Sequence, residues 1–282
     1  MSNNSKELLD KVVGPRINTL SISTISILFS LVFLILLLIF SDIYYLFNHN
    51  IGFIAFKEML LRPEIISAMR MSTVTSLVSL LLILCFSIPI GYALSRFRFP
   101  GHTLMNTIVD IPLILPPVVI GVSLLAFFGS PLGAEIKFIL KTMNISIISG
   151  IGIVLCQFFV SISYCIRATK ASFDSIDRRL EHIALTLGCS QWQAFLNVAF
   201  PLSRNGVIAG AVMAWARAIG VFGPLMIFVG TGPRVQVMPT SIWLELSIGN
   251  IELSIVIALV MVFIAASALT IVHWLGPGRS WA

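Results

Sequence analysis

Charge is scarce in this chain. Asp, Glu, Lys and Arg together make up 11% of its 282 residues, where an ordinary soluble domain carries about 25%. That scarcity excludes a water-soluble globule of this size. Cysteine is also sparse: Cys85, Cys156, Cys165 and Cys189 form no CxxC pair, which removes the thiolate metal sites and redox motifs such pairs build. In the span arrangement set out below, the first three fall in spans and the last in a cytoplasmic loop, so no external disulfide is available. The sequence contains neither a GxxxxGK[ST] phosphate loop nor an HExxH pair, each of which has a fixed mechanical role. His49, His102, His182 and His273 are scattered over different segments with no shared spacing. No metal or cofactor site and no enzymatic activity of the chain's own are therefore expected. The net charge of +6 is read as the basic bias of cytoplasmic loops, with no nucleic-acid partner implied.

What is abundant is apolar: 57% hydrophobic residues and a mean hydropathy of +1.00. The fold class is an all-α integral membrane protein in a lipid bilayer. About six transmembrane helices are read along the chain: 20–40, 65–94, 104–128, 147–166, 206–229 and 251–275. The polar residues 1–18, with Lys6, Lys11 and Arg16, are a cytoplasmic tail and not a cleavable signal, because the apolar run that follows is too long for a signal core. Residues 41–64 and 230–250 are read as external. Eleven basic residues then lie inside and six outside, which places both termini in the cytoplasm. Residues 1–282 are taken as one membrane domain.

The long polar interval, residues 171–205, has two short amphipathic helices hinged at a glycine. Leu180, Ile183, Ala184 and Leu187 recur at i, i+3, i+4 and i+7, on one helical face. Asp177 and Glu181 lie on its flank. Gly188 stands where a left-handed residue ends a helix, and Ser190 with Gln193 spells a capping box that starts the next. Trp192, Phe195, Leu196 and Ala199 form that second helix's apolar face, and Pro201 is placed after its end. The stretch reads as a docking surface for a partner.

Within the spans, two ionisable residues stand out. Asp110 is in the inner half of the third span and Arg217 is about half-way along the fifth. Intramembrane charges face a partner or a water-filled path, so Arg217 either lines an anion-tolerant path or is held by an ion pair or by freed carbonyls. The third span also carries Pro112, Pro116, Pro117 and Gly121. Its prolines remove backbone donors, so it must bend or break. These residues and the Gly220, Gly223, Pro224 cluster are read either as hinges of a gate or as kinks that let helices pack closely.

At Glu181-His182-Ile183-Ala184, Gly188 and Phe200-Pro201 the chain resembles the cytoplasmic loop of type I ABC-importer permeases, with His182 and Ile183 departing from that loop's usual residues. The resemblance covers about residues 70–272. The run from Asp110 to Gly121 and the stretch Ala216 to Gly223 look like the third and fifth spans of the molybdate, tungstate and sulfate branch, except that Val221 stands where those relatives usually carry a glutamate. The resemblance implies a subunit that forms the path for a small oxyanion handed over by an external binding protein. It implies ABC ATPase subunits docking at Asp177, Leu180, Glu181, Ala184, Leu187, Gly188 and Pro201, and a second permease copy or paralogue. Asp110, Pro116, Pro117, Gly121, Arg217, Gly220 and Gly223 are its pathway or gate candidates. A permease of the same family with another cargo (polyamine, iron or another small solute) is the alternative. A self-contained channel or secondary transporter would need more polar spans and no amphipathic loop.

Overall fold

The computed structural model describes residues 19–49, 52–142, 150–232 and 235–275. The 1–18 tail, the start of the expected fourth span, Arg234 and Arg279 lie outside the described residues. Among the described residues all regular structure is helical. The chain divides into two compact units, one ending at Ala55 and one beginning at Phe56.

The first unit holds α1 (Thr19–Asn48). Its residues 22–48 average a hydropathy of 2.9 and none of the most apolar window is buried. A helix stretch that is apolar and exposed all round is suited to hydrocarbon. The helix does not stop at Phe40 as expected but continues through Asp42, Tyr44 and Tyr45, because nothing in 41–48 breaks a helix. The short α2 (Phe53–Leu60) follows.

In the second unit, α3 (Pro63–Arg96), α7 (Gly152–Asp174) and α10 (Phe200–Ile219) pack side by side. The buried face of α3 is made of small hydroxyl residues at helical spacing: Ser72, Ser76, Ser79, Ser87 and Ser95. Small side chains let backbones approach, and their hydroxyls hydrogen-bond across helices. Ser79 Oγ donates to the Val154 carbonyl at 3.1 Å, and Trp215 Nε1 of α10 donates to Ser76 Oγ at 3.2 Å.

The expected third span is broken. α4 (His102–Ile114) and α5 (Pro117–Gly129) meet at 108°. Leu115 and Pro116 between them are extended, with ψ 139° and 130°. Each precedes a proline, whose ring drives the residue before it out of the helical region, so the break falls at Pro116-Pro117. The expected fifth span is also divided: α10 ends at Ile219 and α11 (Gly223–Phe228) restarts beyond Gly220. After α5 comes α6 (Pro131–Thr142). The stretch expected as an external loop at 230–250 contains a helix, α12 (Met238–Ser247). Its start is fixed by the Val237 N–H bonding to Thr240 Oγ1 at 3.0 Å and by the Met238 N–H bonding to Ser72 Oγ of α3 at 2.7 Å. α13 (Ile251–Leu275) closes the described chain.

Among the described residues, four helices are long and apolar enough to cross a membrane, or five if the bent α4–α5 pair counts as one span. α10 is not one of them, since Arg204, Asn205 and Arg217 dilute its hydropathy.

Candidate functional site

The polar interval folds as the helix–glycine–helix its pattern predicts. α8 (Arg178–Thr186) begins at Asp177, whose carboxylate accepts the Arg179 N–H at 2.9 Å; Asp177 is an N-cap. Gly188 sits at φ +92°. There the Cys189 N–H reaches the Ala184 carbonyl at 3.1 Å and the Gly188 N–H the Leu185 carbonyl at 3.0 Å, the paired bonds of a Schellman ending. α9 (Gln191–Ala194) opens with the capping box: Ser190 Oγ accepts the Gln193 N–H at 3.2 Å, and Gln193 Oε1 accepts the Ser190 N–H at 2.8 Å. The second helix does not end before Pro201. A π-helical turn at Phe195–Ala199 joins it to α10, with Pro201 in the first turn of α10. A widened turn relieves the clash a proline ring otherwise makes with the preceding turn.

The apolar stripe of α8 faces outward. Leu180, Ile183 and Leu187 are exposed, Leu187 at 80%, as is Trp192 of α9 at 67%. Ala184 turns inward and is buried. Glu181, on the flank of that stripe, is also buried. Its Oε1 pairs with Arg96 Nε at 2.7 Å, and its Oε2 accepts from the Tyr92 hydroxyl at 2.7 Å. Arg96 also donates to the Ile176 carbonyl at 3.2 Å, and Arg178 donates to the Ser95 carbonyl. Ser95 Oγ bonds Asp174 at 2.6 Å, which Lys170 reaches at 2.7 Å. Beside this network a cavity of about 550 Å³ is lined by Tyr92, Arg96, Glu181, His182, Trp192 and Phe195.

The pathway and gate candidates form a second cluster. A methyl group at Gly121 would stand 2.7 Å from Pro224 Cα, and one at Gly223 would stand 2.7 Å from Val118 Cγ2. The two helix breaks therefore pack against each other, and at Gly121, where the obstacle is backbone, only glycine admits that approach. Around them Ile120, Leu124, Val221 and Leu225 form a buried apolar cluster, and Phe128 stacks on Phe228 at 5.5 Å. Val221 is 4% exposed and belongs to this buried apolar cluster. Asp110 lies apart from this cluster, in a two-pronged pair with Arg167 of α7 at 2.6 and 2.7 Å. Arg217 is placed in the last turn of α10, just before the break at Gly220, with its guanidinium 5.9 Å from the Tyr164 ring centre. Among the described residues it has no ion-pair partner.

The profile of the binding-protein-dependent transport system inner membrane component matches residues 87–281. The chain belongs to that family. Among curated relatives, the permease is 32% identical over 222 residues to a molybdate/tungstate transport system permease protein of Thermococcus kodakarensis, covering 77% of this chain and 83% of the relative. It is 36% identical over 180 residues to a molybdenum transport system permease protein of Haemophilus influenzae, covering 63% and 78%. A sulfate transport system permease protein of Escherichia coli is 28% identical over 218 residues, covering 75% and 76%. Among solved structures, a bacterial alginate ABC transporter in complex with an alginate-bound periplasmic protein matches with a TM-score of 0.67 at 19% identity, covering 89% and 91%. At that identity the likeness speaks for the fold alone.

The permease is thus a multi-pass membrane protein of the ABC importers, with only helices as regular structure among the described residues, in a family whose ATPase is a separate subunit. Two of its residues escaped the sequence reading. Tyr92 carried no signal, and Arg96 was legible only as part of a basic turn. Arg96 meets Glu181 across 85 positions of sequence, a separation no local pattern encodes.

Proposed function

We propose that this permease forms, with a second copy or a paralogue, the path by which a small oxyanion of the molybdate, tungstate or sulfate type enters the cell from an external binding protein. The observation that carries the cargo is the agreement with molybdate/tungstate permeases at 32% identity over most of both chains. The chemistry of the break region supports it: residues 214–232 contain one ionisable side chain, Arg217, and no carboxylate. A path without fixed negative charge does not repel an anion, and Arg217 contributes a positive field at its edge.

The working arrangement has six spans with both termini cytoplasmic, α4–α5 and α10–α11 each serving as one broken span. Broken helices line paths because irregular backbone is tolerated only against protein or water. The Asp177–Pro201 hairpin is the cytoplasmic coupling loop. The exposed Leu180, Ile183, Leu187 and Trp192 offer an apolar helical face of the kind that seats in a partner's groove, and the groove belongs to the ATPase. Pro116, Pro117, Gly121, Arg217, Gly220 and Gly223 border the path, while Asp110, paired with Arg167, stands apart from them. The interlocked Gly121–Pro224 and Gly223–Val118 contacts act as its gate, opening as the spans reorient between two packed states.

Two experiments test this. The purified permease with its ATPase subunits and its external binding protein should import molybdate or tungstate in preference to polyamine or ferric iron; preference for a cation would overturn the cargo. Replacing Arg217 with Gln should slow import at unchanged expression, whereas unaltered import would remove Arg217 from the path.

A further inference from the structure

α8 has few attachments to the rest of the chain. Its buried residues are Glu181 and Ala184 alone. The Schellman turn at Gly188 separates it from α9, and residues 175–177 separate it from α7. The 550 Å³ cavity opens along its inner side, so packing there is incomplete. By contrast α9 runs through the π-turn directly into α10. Motion of α9 therefore has a continuous helical route into the membrane helices, whereas α8 reaches α7 only through the non-helical residues 175–177 and reaches α3 through side chains, Arg178 on the Ser95 carbonyl and Glu181 on Arg96 and Tyr92.

The side-chain route is well defined. Both Glu181 carboxylate oxygens are held by α3, one by Arg96 and one by Tyr92, each at 2.7 Å. The Arg96 and Glu181 side chains are only 7% and 11% exposed, so solvent screens the pair weakly. α3 continues for 34 residues, and near its other end Ser72 accepts from the Met238 N–H of α12 at 2.7 Å. We propose that Arg96 is a positioning residue of the coupling apparatus: its pair with Glu181 ties α8 to α3 and carries the hairpin's movement along α3 to α12. α8 then drives α3 and α9 drives α10, two outputs from one docking event. This rests on reading 177–201 as the ATPase-docking loop.

The test uses the full permease–ATPase complex in lipid vesicles, reading the ratio of ATP hydrolysis with and without molybdate-loaded binding protein. Arg96→Gln should copurify with the ATPase yet lower that ratio by at least about fivefold, the lower end of a typical coupling between sites. Arg96→Lys, which keeps the charge but not the planar fork, should fall between. The exchange R96E/E181R should recover part of the ratio, which a general folding defect would not allow. A wild-type ratio in Arg96→Gln overturns the proposal, as does loss of the ATPase from that variant, since Arg96 would then serve docking itself. An ATPase that stays bound to a Leu187→Asp permease contradicts the docking-loop reading, whatever Arg96 does.

Discussion

At the scale of single residues, the permease uses glycine in two distinct ways, and each makes its own prediction. Gly188 is needed for its backbone: at φ +92° an L-residue incurs about 1–2 kcal/mol. Gly188→Ala should leave the spans intact but weaken ATPase copurification, as measured by subunit stoichiometry after purification. Gly121 is needed for its missing side chain, because a Cβ would stand 2.7 Å from Pro224 Cα and 2.9 Å from its carbonyl oxygen. Backbone atoms cannot swing aside, so Gly121→Ala should destabilise by about 1–3 kcal/mol, the usual cost of overpacking. A lowered thermal midpoint in detergent checks it, and an unchanged midpoint would mean that the two breaks do not interlock.

Among the elements, the hairpin shows what the sequence could and could not disclose. Local grammar was fully legible: the Gly188 turn, the Ser190–Gln193 box and the periodic Leu180–Leu187 face all depend on residues within a turn or two of one another. The break at Pro116-Pro117 was legible for the same reason, since proline acts on its immediate neighbours. Long-range pairing was not. Glu181 reads as a surface charge until Arg96 and Tyr92 are seen beside it, and Asp110 reads as a pathway charge until Arg167 is found on α7. Helix ends were misplaced where apolar runs shade into polar helix, at Asn48, Asp174 and Phe200. The exposed stripe supports a direct prediction. Burying one leucine contributes about 1.5–3 kcal/mol, so Leu187→Asp should weaken ATPase binding by roughly tenfold to a hundredfold, read as the concentration of ATPase needed to restore hydrolysis.

For the whole molecule, the family match at 87–281 leaves α1, α2 and most of α3 outside it. The proposed orientation can be read in a cysteine-free background. Leu187→Cys should react with a membrane-impermeant thiol reagent only from the cytoplasmic side, and Trp243→Cys, on the half-exposed face of α12, only from outside. Labelling of both from one side would contradict the six-span arrangement.

The most direct test of the central claim is uptake of radiolabelled molybdate into vesicles holding the permease with its ATPase subunits. The account predicts accumulation that requires both internal ATP and the external binding protein, and that disappears with Leu187→Asp. Accumulation that proceeds without ATP or without the binding protein would show a self-contained channel or secondary transporter and contradict the account.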